Sequence, residues 1–145
     1  MKKILFFLFL SLSAFLNANE KNNKLADLLH SFGNNGEYAQ MDSVYNLIIH
    51  EDHYKQDKLY ALNITLDYAR FLNQKGDSER ANTLLTQIRD NAMALEKFPE
   101  NTIAHQLQEI AAIATYEIAY GQWQNNQLPA ARETAEEAIN QLEQV

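Results

Sequence analysis

The stretch LDYARFLNQKGDSERANTLLTQI, residues 66–88, holds the feature that most constrains this chain. An apolar helical pattern breaks at Lys-Gly-Asp and restarts at once. Ala69 stands seven residues before Gly76, Ala81 stands five after it, and Leu85 and Ile88 follow four and seven beyond Ala81. IAYGQWQNNQLPAARETAEEAI repeats the plan with Ala119, Asn126, Ala131, Ala135 and Ala138 in the matching places. LHSFGNNGEYAQMDSVYNLI follows it more loosely through Gly36, Met41, Tyr45 and Ile48. Glycine and asparagine tolerate the left-handed backbone that a tight reversal between helices requires. Small side chains around the reversal let the two helices approach closely. The pattern therefore predicts a chain of helix hairpins.

Spacing elsewhere agrees. No run alternates with period two, and β-branched residues are scattered, so strands are not expected. Helices are expected over about 21–34, 37–53, 57–75, 78–97, 100–125 and 128–144. The short breaks GNNG, QKGD, FPEN and NNQLP join them, which favours antiparallel neighbours. Pro129 falls in the first turn of the last helix, where its missing N–H costs nothing. That helix has one apolar stripe, Leu128, Ala131, Ala135, Ala138, Ile139 and Leu142, opposite a face carrying Glu133, Glu136, Glu137 and Glu143. Residues 58–75 and 100–126 are apolar around much more of their circumference, so each is expected to have neighbours on several sides.

These residues resemble the tetratricopeptide repeat (TPR) family, in which a helix pair of about 34 residues carries small side chains around a Gly-Asp-type turn. The resemblance implies an all-α fold of antiparallel hairpins stacked as a short TPR-like α-solenoid. Residues 19–145 would form it, in units of about 21–53, 57–97 and 100–144. The spacing departs from the family: Met41 to Ala81 covers 40 positions and Ala81 to Ala131 covers 50, so the helices are lengthened.

In that family the first helix of each pair lines a concave groove for peptides or extended protein segments. The resemblance places Asn23 and His30 there from the first unit. Asn63, Leu66, Arg70, Asn73 and Gln74 come from the second, and Tyr116, Tyr120, Trp123 and Gln124 from the third. Arginine supplies a charged fork and asparagine both donor and acceptor, which suits recognition of a backbone. Tyrosine and tryptophan supply rigid contact area. A competing expectation is that Tyr116, Tyr120 and Trp123, at helical spacing, pack inward as core. Arg70 has a second reading too, as a surface ion-pair residue.

MKKILFFLFLSLSAFLNA, residues 1–18, has two lysines, an apolar run from Ile4 to Leu16 and a small residue at Ala18. That is the order of a secretory signal peptide. The run is shorter than the roughly 20 residues of a membrane-spanning helix, so only an uncleaved leader would tie the chain to a membrane. Export to the periplasm or beyond the cell is expected. The chain contains no cysteine, so in an oxidising compartment the core alone must hold the fold. The formal net charge is −7, and it becomes −9 without Lys2 and Lys3. Such a surface repels nucleic-acid backbones and anionic headgroups.

Little in the sequence points to catalysis. There is no G-x-S-x-G elbow, no phosphate-binding glycine loop and no HExxH pair. His50, Glu51, Asp52 and His53 offer metal-ligating chemistry, but a zinc site needs three or four convergent ligands, and His105 with Glu109 lies elsewhere. No enzyme activity, metal or cofactor is expected. The expectation is an exported module that binds a peptide or protein segment in a helical groove, with Asn63, Arg70, Asn73, Tyr116, Tyr120 and Trp123 as contacts. The alternative is a self-associating structural subunit of an envelope complex, its broad apolar faces covered by other copies.

Overall fold

A computed structural model describes residues 18–97 and 102–144. The leader expected over 1–18 lies, Ala18 apart, outside the described residues, and so does the expected break FPEN at 98–101. Every regular element among the described residues is an α-helix: α1 Ala18–Asn34, α2 Tyr38–Ile48, α3 Asp52–Gln56, α4 Lys58–Lys75, α5 Ser78–Glu96, α6 Ala104–Gln124 and α7 Leu128–Leu142. None is long and apolar enough to cross a membrane.

Three reversals share one backbone geometry. Gly36, Gly76 and Asn126 have φ of 72°, 87° and 58°, all left-handed. The N–H of each bonds back three residues, to the carbonyls of Gly33, Asn73 and Trp123 at 2.9–3.1 Å. The following N–H bonds back five, to Phe32, Leu72 and Gln122, at 2.8–2.9 Å. This double closure satisfies carbonyls that a helix end would leave open. Glu37, Asp77 and Gln127 then enter the next helix with ψ of 60°, 59° and 57°. Asn126, the one non-glycine residue with positive φ among the described residues, does the work of Gly36 and Gly76.

Met41, Ala81 and Ala131, five residues past each left-handed residue, are all buried, as are Ala69 and Ala119 before the turns. Helices α1 and α2 pack on each other, as do α4 and α5, and α6 and α7. Between pairs, α4 packs on α1, while α6 packs on both α4 and α5. The core runs along this sequence through Leu29, Met41, Ile48, Leu72, Leu85 and Leu107, each at most 1% exposed.

Two expected elements differ. The single helix expected over 37–53 is interrupted: α2 stops at Ile48, the last residue of its buried stripe Met41, Val44, Tyr45 and Ile48. Glu51 is extended, with ψ of 145°, and the short α3 follows. The break turns Tyr54 back toward α4, where its hydroxyl lies 2.8 Å from Thr65 Oγ1. The last helix buries less of its stripe than its pattern suggests. Ala131 and Ala138 are covered, whereas Leu128, Ile139 and Leu142 remain 53%, 56% and 47% exposed. Among the described residues α7 packs chiefly on α6, which reaches one flank of the stripe.

Candidate functional site

The first helices of the three pairs, α1, α4 and α6, meet along two seams with the same construction. His30 Nε2 lies 2.8 Å from Asp67 Oδ2 across the α1–α4 seam. Arg70 Nε donates to Glu117 Oε1 at 3.0 Å across the α4–α6 seam. His30 and Arg70 each stand six residues before a left-handed turn residue, and Asp67 and Glu117 each stand nine before the next one. The sequence expectation included Arg70 but not Glu117. The signal was present as an acid nine residues before the turn in two consecutive units.

A second rung lies beside the first. Gly33 faces Phe71, and a Cβ on Gly33 would come within 2.6 Å of that ring. At the equivalent place in the next seam Asn73 faces Gly121, whose Cβ would lie 3.1 Å from Asn73 Oδ1. The bulk has changed sides: small against large in one seam, intermediate against small in the other.

Asn73 is therefore an interior link and not a groove contact, since it is 1% exposed. Its amide donates to the Glu117 carbonyl at 2.9 Å and reaches the Glu117 carboxylate at 3.4 Å. Those acceptors fix the amide orientation and leave Oδ1 buried without a partner. Leu66, expected to line a groove, is also buried. The Arg70 side chain is half exposed while that of Glu117 is only 11% exposed, so the arginine caps a carboxylate that burial would otherwise penalise.

The aromatic residues lie outside. Tyr116 and Trp123 are 55% and 59% exposed, against the expectation that helical spacing turns them inward. Tyr120 is half-buried, with its ring 5.8 Å from that of Trp123. The inward face of α6 is taken instead by Leu107, Ile110, Ala111, Ala114 and Ile118. Small residues there bring α6 close to its neighbours and leave no room for rings. Tyr116, Tyr120 and Trp123 fall on one helix face beside the Arg70–Glu117 pair. Asn63 is exposed near the other end of α4 and bonds to the Leu59 carbonyl of its own helix at 3.0 Å. No contact joins it to the aromatic set.

Elsewhere, Tyr45 and Tyr54 converge on Thr65, at 3.2 and 2.8 Å. Thr65 gives its proton to the Ala61 carbonyl at 2.7 Å, so both phenols donate and the hydroxyl set closes on itself. These groups line a 570 Å³ cleft bounded by Leu62, Leu84 and Ile88. Burial, chiefly, pushes the Tyr45 and Tyr68 hydroxyls well above the ordinary tyrosine value. Tyr68 donates to Asp42 at 2.7 Å and accepts from Arg80, tying α2, α4 and α5 together. Among the described residues no three His, Cys, Asp or Glu side chains converge as a metal site. His50 faces the Asn46 carbonyl and His53 stacks obliquely on Tyr60, so the two do not point to one place.

Comparison of the chain with protein-family models, with curated proteins and with solved structures returns no match.

Proposed function

We propose that this chain is an exported, TPR-like interaction module that holds a peptide or protein segment against the outer face of α6. Tyr116, Tyr120 and Trp123 are the contact residues. The observation that carries this reading is the exposure of Tyr116 and Trp123 on one face of an otherwise well-covered helix. Large aromatics left in water, beside a charged pair, are the composition of a binding hot spot. Two features support the stacked-hairpin part: the left-handed turn repeated three times and the cation–carboxylate rung repeated twice. The lysine-led apolar leader supports export, and the acidic charge disfavours a nucleic-acid partner.

Trp123 is the one tryptophan of the chain, so its fluorescence reports this face alone. A segment captured from the cell envelope is expected to shift its emission to the blue on binding. Tyr116→Ala is expected to weaken that binding by roughly 2 kcal/mol with the melting temperature unchanged. A partner that binds without altering Trp123 emission, and equally well to Tyr116→Ala, would remove α6 from the site.

A further inference from the structure

The two ends of the helix series are chemically unlike. Outer positions of α1 are polar and exposed: Glu20, Asn23, Lys24, Asp27, Ser31 and Asn34. The other end is apolar. In both internal seams the residues six and three before the turn meet the next unit. In the last unit these positions hold Tyr120 and Trp123, with no following unit among the described residues. On α7, Leu128 and Leu142 stand where α5 carries Ser78 and Ala92, counted from the left-handed residue. Ser78 and Ala92 are buried, and Ser78 bonds to Gln124 of α6 at 3.3 Å. Leu128 and Leu142 are left in water. The α6–α7 edge is thus built as a helix-receiving surface.

We infer that this surface receives α7 of a second copy, giving a two-fold dimer in which the two α7 helices run antiparallel. Head-to-tail stacking is disfavoured because among the described residues the opposite edge, α1, is polar. A single apolar edge on each copy can be covered by another copy only through like-to-like contact, which closes at two. The apolar spacing on α7 is self-complementary in that arrangement. Leu128 and Leu142 each lie seven residues from Ala135, so reversal about Ala135 sets Leu128 of one copy against Leu142 of the other. Ala135 meets its own counterpart, and its small side chain permits close approach. The acidic residues Glu133 and Glu137 turn away from this line, on the far flank of the helix. The inference deepens the interaction-module reading by naming a partner at one edge, and rests on it for nothing beyond the stacked hairpins.

The absence of cysteine makes the test direct. Ala135→Cys, oxidised in the otherwise cysteine-free protein, is expected to form a disulfide-linked dimer, because a two-fold axis at this position brings the Cα atoms within about 7 Å. Glu133→Cys, on the far flank, is expected to remain monomeric on a denaturing gel. Sedimentation of the unmodified protein should show a concentration-dependent monomer–dimer equilibrium without larger species. Leu142→Glu is expected to shift that equilibrium to monomer by about tenfold or more in the dissociation constant, a loss of about 1.4 kcal/mol, with its helical content intact. Species growing beyond dimer, equal cross-linking of the two cysteine variants, or a Leu142→Glu protein that dimerises like the parent would each overturn the inference. Such a failure would leave the segment-binding reading untouched, since Tyr116→Ala decides that one.

Discussion

Gly33 is hydrogen-sided because Phe71 occupies the space its side chain would fill. A Cβ on Gly33 would stand 2.6 Å from three atoms of the ring, a distance that no fixed neighbour permits. Gly33→Ala is expected to destabilise the protein by ~1–3 kcal/mol, the usual cost of overpacking. Phe71→Leu in the same chain should recover part of that loss, because the smaller side chain can withdraw. Denaturant midpoints of the two single variants and the double variant measure the coupling.

Asn73 and Arg70 bear on stability in different degrees. Asn73→Ala removes two contacts to Glu117 and is expected to cost ~1–3 kcal/mol. Arg70→Ala leaves the Glu117 carboxylate, 11% exposed, without its cation, yet the arginine itself is half in water. Its cost should be smaller, about 1 kcal/mol. The ordering of the two thermal midpoints is the check, and an Asn73→Ala protein as stable as the parent would contradict its interior placement.

Tyr45 and Tyr68 stack at 3.8 Å with ring planes 9° apart, and both hydroxyls titrate above the ordinary tyrosine value. Unfolding returns each to about pKa 10, so the unfolded chain releases these protons first as pH rises. Their contribution is complete below about pH 10 and declines from there toward the higher folded-state values. The expected slope is about 1.4 kcal/mol per pH unit for each buried phenol. Tyr68→Phe should lower stability at neutral pH, through loss of the Asp42 and Arg80 contacts, and flatten the alkaline decline by one proton. Urea unfolding between pH 8 and pH 11 reads both effects.

Asn126 holds the left-handed position that glycine holds in the two earlier turns. Asn126→Gly is expected to be tolerated with little change, whereas Asn126→Val should cost ~1–2 kcal/mol because a branched Cβ is strained at positive φ. Thermal melts distinguish them. A harmless valine would mean that the third turn does not need its geometry.

How much of this was legible in the sequence follows from range. The turns were legible because Gly36, Gly76 and Asn126 act within six residues of themselves, and the small residues beside them keep a fixed offset. Most helix bounds followed for the same reason. The α2–α3 break was not, because HEDHYKQD continues a helical rhythm and only the distant Thr65 draws Tyr54 back. Seam partners are further still: nothing local tells Arg70 that Glu117 stands across from it, although the repeated offset from the turn was there to read. The aromatic stripe was ambiguous on periodicity alone. What turned it outward was Ala111, Ala114 and Ala119, whose small size already claimed the inward face.

Helix α7 has two buried residues, Ala131 and Ala138, and each contributes only a methyl group. Among the helices of more than ten residues described, its amide hydrogens are therefore the ones that should exchange with solvent soonest, ahead of any global opening, since local stability follows buried apolar contact. The helix that leaves most of its apolar stripe in water is thus also the most loosely held of the long ones described, and whatever docks on α7 will slow its exchange before it changes anything else.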